Sequence, residues 1–511
     1  MSDKVIRIVS EQGFSASWTN ATKPSGLNLL DFTIPRGMNI NTAESYISLN
    51  SQIDNDSGYP VNASWYLDVD NDEKLNVPTT ALIKNASIAN DSGQIENCRR
   101  IDTLSCGLFG LEDEAEERKS NMNTFAQYEA GRGVGNKTSF LLDCVTDNTA
   151  PDGTTINADH KSRNIPRDIK IPLNQLFGVC NSEAYSTDKW GETRIHCETN
   201  FVKGAGAGLK SQILGGAEDT SLMFDGANNY GDMADQNGVA DGASTTPVIS
   251  SGDYGDWQNV MPFFVGQQVE VSRVIAGAPA ASIDSEITSI KYQGDNTATP
   301  PTNKAKVIIT LDPPVYTNAS GGAQDVTAIK LKAKTNATLT NVINRAELVL
   351  TLTEEKADEE IVFNTFSTEE DNGNALTSFN RTYLAEPEAN AIMIAAMNNG
   401  EIIPNRTYES YRYAVDNEEM TGNRDIVVGS PIQYDRLQRC LDRQLGLGFK
   451  NAQQKFYKSS EAQAAAYVGP VSLICETLHE TEENKKVNLQ IECAAGLQSI
   501  ILYKNMEKVL K

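Results

Sequence analysis

The chain has 511 residues, a formal net charge of −24, 39% hydrophobic and 22% charged side chains. That length allows roughly two to four domains, and the composition suits a soluble chain with a packed core and generous loops. Acidity of this order repels phosphate backbones, so specific nucleic-acid binding is not expected, and no apolar stretch is long enough for a membrane span.

The N-terminus is polar (Met1-Ser2-Asp3-Lys4) and leads directly into Val5–Val9. It lacks a basic segment followed by an apolar one, so no secretory signal is expected and the chain should stay intracellular until assembly. Thereafter the dominant pattern is short runs alternating apolar and polar, split by Asn, Asp, Gly and Pro. Ile47, Leu49, Ser51 and Ile53 share one face, and Tyr46, Ser48, Asn50 and Gln52 the other. Phe109–Lys119 has acids first and bases last, which predicts a helix aligned with its own dipole. Leu173–Phe177 predicts a single turn after Pro172.

A Gly-, Ala-, Asp- and Asn-rich stretch, Gly204–Gly255, reads as a long loop. Phe263–Leu311 then reads as a small inserted barrel, with Val307, Ile309 and Leu311 alternating and Thr297–Asn303 at its tip. A second strand set starts near Val326. Ala389–Met397 is apolar enough for a buried helix or a strand. Tyr434–Leu445 carries Leu437, Cys440, Leu441 and Leu445 on one helical stripe, ended by Gly446-Leu447-Gly448. Val487, Leu489, Ile491 and Cys493 alternate with Lys486, Asn488, Gln490 and Glu492. The division that follows is 1–203, an insertion at 204–325, and 326–511, with the question left open whether the first part takes its last strand from beyond the insertion.

Motifs with a chemistry fail in detail. Gly204–Ser211 resembles a phosphate-cradling loop, but Leu209 separates the last Gly from Lys210; a flexible linker is the expectation. Gly131–Gly135 lacks dinucleotide-loop spacing. Asp68–Asp72 starts like a calcium loop, but Glu73 stands where Gly is required and Thr79 where Glu is required. His160, His196 and His479 are the only histidines, and His196 and Cys197, adjacent in a strand, point to opposite faces. The eight cysteines show no CxxC spacing, and Cys475 and Cys493 sit in apolar strands, so reduced, buried thiols are expected. Carboxylate pairs such as Glu354-Glu355 and Glu418-Glu419 read as solvated faces, and the Asn-X-Ser/Thr triplets at Asn20, Asn62 and Asn336 as chance. Lys203, Lys210, Arg412 and Arg443 read either as a small basic inner face or as scattered surface cations. Arg424 and Arg436, flanking a turn-rich acidic stretch, are expected to bridge to acids. No catalytic, cofactor-binding or metal residue is assigned.

Six segments, in order, carry a resemblance: Leu29–Asn50, Ile169–Asn200, Thr365–Glu370, Tyr411–Asp425, Ser430–Arg439 and Cys475–Lys504. Together they are similar to the double jelly-roll major capsid proteins of polinton-like viruses and virophages, most weakly over 204–335. The resemblance implies a mainly β fold: two jelly-roll sandwiches with a small inserted β module and a few short helices. It implies a structural protein, not an enzyme, and no cofactor. Homotrimers would form pseudo-hexameric capsomers that tile an icosahedral shell around double-stranded DNA, with the insertion as an outer crown. Partners would be neighbouring capsomers, penton and minor or cement proteins, and a host surface; the location would be the virion, assembled inside the infected cell. The alternative is a β-rich receptor- or glycan-binding viral surface protein.

Overall fold

The structure is a computed structural model. It describes residues 4–13, 15–19, 29–55, 59, 61–68, 77–107, 124–125, 139–142, 167–200, 202–203, 207–213, 222–225, 265–275, 278–293, 306–312, 326–334, 339–397, 408–422, 424–427, 430–444, 473–479 and 483–511.

The first sheet contains β1 (Lys4–Val9), β2 (Ala16–Thr19), β4 (Asn39–Asn55), β11 (Arg167–Pro172), β12 (Tyr185–Ser186) and β21 (Leu339–Leu352). Facing it are β3 (Leu29–Ile34), β7 (Ile83–Asn90), β8 (Gly93–Arg99) and β13 (Thr193–Thr199). Ile47, Leu49 and Ile171 of one sheet and Leu30, Phe32, Ile88 and Ile195 of the other lie in one buried cluster. The alternation read at 47, 49, 51 and 53 is the cause, since all four point inward.

Strand order identifies the topology. In chain order the main strands are β1, β3, β4, β7, β8, β11, β13 and β21. One sheet then runs first, eighth, third, sixth, and the other second, seventh, fourth, fifth. Every neighbouring pair is antiparallel. This is a hairpin rolled up from its ends, the jelly roll.

A third sheet repeats the plan with fewer main strands, two of them very long: β22 (Ile361–Ala385), β23 (Ala389–Met397), β24 (Tyr408–Val415), β25 (Glu418–Glu419), β26 (Ile426–Val427), β27 (Leu473–Thr477) and β28 (Lys485–Leu510). β22 and β28 each serve twice. Residues 361–372 pair with 499–510, and 378–385 with 485–492, across irregularities at Asn372/Leu376 and Leu376/Ser378. The first arms continue to β23 and β27, the second to β24, β25 and β26. Ile500, Leu502, Ile392 and Ile394 from one wall meet Leu489, Ile491, Tyr411 and Phe379 from the other in a second core. Bulges bend strands, and here they let one sheet fold over on itself. The fold is therefore two jelly rolls.

Between strands seven and eight of the first roll lies an open antiparallel sheet of β16 (Leu222–Asp225), β20 (Val326–Ala333), β17 (Gln268–Ile275), β18 (Ala278–Gln293) and β19 (Lys306–Asp312). A side sheet joins β10 (Ser139–Leu142), β5 (Val61–Asp68), β15 (Ala207–Ile213) and β14 (Val202–Lys203); β6 (Val77–Pro78) pairs with β9 (Thr124–Phe125). Because antiparallel strands alternate in direction, the long connections 56–82, 100–166 and 200–338 leave from one end of the first roll, and all three contribute to the side sheet. The opposite end has the shorter connections 35–38, 91–92 and 173–192, tied together by an Arg36–Asp91 ion pair and by the Glu192 N–H donating to Asp91 at 3.1 Å.

Several expectations change. β21 belongs to the first roll although it follows the insertion, because its partners are β1 and β4. β20 joins the inserted sheet. Residues 207–213 form a strand against β5, not a linker. The inserted barrel is an open sheet among the described residues, with β16 and β19 at its edges. Ala389–Met397 is a strand, apolar from Ala391 onward because Ala391, Met393 and Ala395 enter one core and Ile392, Ile394 and Ala396 the other. The α-helices among the described residues are α1 (Ile101–Gly107), α2 (Leu173–Leu176), α3 (Thr187–Trp190) and α4 (Pro431–Gln444). α4 starts where Ser430 Oγ accepts from the Gln433 N–H at 3.3 Å, with Pro431 next in line. The helix expected at 109–119, the tip at 297–303 and the stop at 446–448 lie outside the described residues.

Candidate functional site

The residues singled out by motif do not converge. His196 is exposed beside Asp31, while Cys197 is fully buried on the opposite face. His479 is exposed on the second roll. His160 and Gly131–Gly135 lie outside the described residues, as do 69–72 of the calcium-like loop. Lys210 stands in the side sheet of the first half, whereas Arg412 stands in β24 and pairs with Asp425 at 2.8 Å. The side chains of Lys203 and Arg443 are outside the described residues. No group of three or more His, Cys, Asp or Glu suited to a metal occurs among the described residues. Cys98, Cys180, Cys197, Cys440, Cys475 and Cys493 are free and buried, and burial raises the thiol pKa of Cys98, Cys180, Cys197 and Cys475.

Polar chemistry concentrates instead at the seam between the rolls. Arg100 follows β8 and opens α1 with φ 54°, a left-handed conformation that costs an Arg on the order of 1 kcal/mol. Its side chain shows what holds it there. The guanidinium donates to Asp102 at 3.2 Å, to Thr103 Oγ1 at 3.0 Å and, across the seam, to Glu370 of β22 at 3.1 Å. The Tyr503 hydroxyl of β28 donates to the Arg100 carbonyl at 2.8 Å, and Asn200 donates to Asp102 at 2.8 Å. Burial pushes the Tyr503 phenol well up, so it remains a donor. Asp102 is fully buried, so removing Arg100 would strand a charge in the interior.

A second pin lies along β8. Glu96 is 3% exposed, and its carboxyl accepts the N–H groups of Gly178 at 3.1 Å and Val179 at 2.7 Å. A Cβ on Gly178 would fall 1.8 Å from the Asn364 carbonyl oxygen. Only glycine permits this approach of the turn to β22. Lys504, nearby on β28, satisfies its three donors with Glu369 at 2.7 Å, Leu384 O at 2.9 Å and Glu386 at 3.1 Å.

Within the second roll, Arg436 of α4 donates to Glu476 of β27 at 2.9 Å, and Tyr411 donates to the other oxygen at 2.6 Å. Burial pushes the Glu476 carboxyl up; the Tyr411 and Arg436 contacts oppose that shift. The expected Arg436 bridge is thus present. Arg424 is exposed with no ion pair among the described residues, and Arg412 holds Asp425 instead. A groove of about 800 Å³ opens at the seam, lined in part by Asn97, Arg99, Thr365, Ser367, Glu388 and Lys508.

The sequence reading missed Arg100, Glu96 and Tyr503 as a set. A usable signal existed for Glu96, which shares its strand face with Cys98, an acid in an inward position.

Neither a protein-family model nor a curated protein matches the chain. Among solved structures it is similar to that of the Sputnik virophage (8% identity, TM-score 0.31, covering 98% of this chain and 87% of that one). It is also similar to the mavirus major capsid protein (9%, 0.32, 99% and 86%) and to a PBCV-1 virus capsid chain (8%, 0.33, 100% and 95%). At such scores the assignment of the fold rests on this chain's own strand pairing, given above.

Proposed function

We propose that this chain is the major capsid protein of a virus, a homotrimer whose six jelly rolls make a pseudo-hexameric capsomer. The observation that carries the reading is the repeated strand order in two rolls joined along a buried seam, together with the six segments resembling such proteins. Jelly rolls suit a shell because each sheet covers the other's apolar face and the connections are free to build contacts. The three longest connections of the first roll leave from one end, which supports a decorated outer side with the inserted sheet as its crown. The fold offers the shell a wall, not a catalyst. Icosahedral tiling around double-stranded DNA, penton and cement partners, attachment to a host surface and assembly inside the host cell belong to the same proposal.

The test is the mass of the purified chain by light scattering, with negative-stain images of the same fraction. Three copies of the 55.6 kDa chain should be found, with a hexagonal outline or as larger shells. A stable monomer that binds glycan without forming capsomers would sink the reading and favour a receptor-binding surface protein.

A further inference from the structure

Inside the chain the two rolls meet through unlike elements. The first roll offers its fifth strand, β8, and the helix that follows, α1; the second offers its first strand, β22. The Thr368 hydroxyl of β22 donates to the Arg99 carbonyl at 3.2 Å, and Arg100 reaches Glu370 at 3.1 Å. Ile101, opening α1, shares a buried cluster with Ile361 and Phe363 of β22. Because the strand order is repeated, each chain carries both halves of this seam a second time. The first roll has its own first strand, β1, an edge strand paired with β21. The second roll has its own fifth strand, made by β25 and β26, with α4 after it.

Burial separates the two sets. Ile101 is 1% exposed, whereas Ile432, in the first turn of α4, is 61% exposed. Ile361 and Phe363 are each 6% exposed, whereas Val5 and Val9 of β1 are 52% and 53% exposed. Val5, Arg7 and Val9 share one face of their strand, and Arg7 is tied to Glu347 of β21 at 2.9 Å. Val427, also exposed, precedes Ile432 by one turn, in which the Ser430 N–H donates to the Val427 carbonyl at 3.1 Å. Exposed charges flank both pairs in the chain: Lys4 and Glu11 the first, Arg424, Asp425, Asp435 and Arg439 the second. An apolar centre within a charged rim is the anatomy of a protein contact.

We propose that the occupant of each edge is a second copy of this chain: the β26–α4 edge of one copy, with Val427 and Ile432, docks on the β1 edge of the next, with Val5 and Val9. The contact repeats between chains the seam found within each. It rests on the capsomer reading and names the surfaces that build it. Unlike patches make a head-to-tail contact, which closes into a ring when its rotation permits. In a ring of three copies, internal and external seams alternate around one axis.

The experiment uses the full chain, its mass read by light scattering. Val5→Asp with Val9→Asp, and separately Val427→Asp with Ile432→Asp, alter side chains exposed in the single chain. Each variant should keep its melting midpoint as a monomer of 55.6 kDa, where the wild type runs at three times that mass. Cross-linking decides the matter even if an Asp variant does not fold. With a short bismaleimide, Val9→Cys alone or Ile432→Cys alone should link no more than the wild type does. The two co-expressed should give linked dimers, and the double variant linked trimers. Linking within either single variant overturns the head-to-tail contact. A trimeric wild type whose Asp variants stay trimeric, or whose double Cys variant does not link, overturns the choice of surfaces and leaves the capsomer reading standing. A monomeric wild type sinks both.

Discussion

The two rolls share one strand order and reach it with different economy. The first uses eight separate main strands and places 139 residues, 200–338, between its seventh and eighth. The second fuses strands one and two into β22 and seven and eight into β28, so two bent ribbons supply half its walls. The first roll accepts long additions at one end because its corners are loops, and loops tolerate insertion cheaply. The second turns its corners inside strands, where an insertion would break the ladder. What they have in common is a helix between strands five and six, α1 in the first and α4 in the second. Each helix is anchored by an Arg paired with a buried acid: Arg100 with Asp102, and Arg436 with Glu476.

Breaking those anchors should have the largest effect. Arg100→Ala leaves Asp102 buried without its cation and is expected to cost about 3–5 kcal/mol in denaturant unfolding. Since Glu370 and Tyr503 lie across the seam, calorimetry should also show the two rolls melting as separate transitions. Arg436→Ala strands Glu476 at a similar cost of about 3–5 kcal/mol, but its damage should stay within the second roll. Next come Met393→Ala and Leu502→Ala, each in a strand buried on both faces and each expected to cost about 2–5 kcal/mol. If either is tolerated with no loss in midpoint, the strand is not sandwiched between two cores. Removing 216–336 with a short Gly/Ser linker should cost the rolls less than about 1 kcal/mol, because β15 and β21, which flank the cut, already lie against each other. The smallest response is expected from thiol labelling. Cys98, Cys180, Cys197, Cys440 and Cys475 should stay unmodified by iodoacetamide in the native chain and react on unfolding, as peptide mass mapping would show.

Much of the second roll was legible in the sequence. The alternation from Val487 to Cys493 faces one core on its apolar side and solvent or the sheet margin on the other, and the α4 stripe buries Leu437 and Cys440. β23 was ambiguous for a physical reason: a strand buried on both faces loses the period that would mark it. The last strand of the first roll stayed open because nothing local says that Leu352 pairs with Lys4; only the closed sheet does. The seam was harder still. Arg100 and Glu96 look like surface polarity until Glu370, Tyr503 and the Gly178 turn arrive from distant parts of the chain. Of the two bridging arginines expected, Arg436 found its acid and Arg424 did not, since the β24 hairpin turns on Asp416 and Asn417, both at positive φ, and brings Arg412 to Asp425.

The pairing of β1 with β21 also sets a timetable. During synthesis β1 is made hundreds of residues before its partner, with which it pairs in register from Lys4↔Leu352. Until then β1 has no hydrogen-bonding neighbour among the described strands, and one edge of β4 stays unpaired. So long a wait for a non-local pairing favours slow closure and leaves sticky edges exposed on the ribosome. The roll that begins first in the chain is thus bound to be completed only shortly before the other one starts.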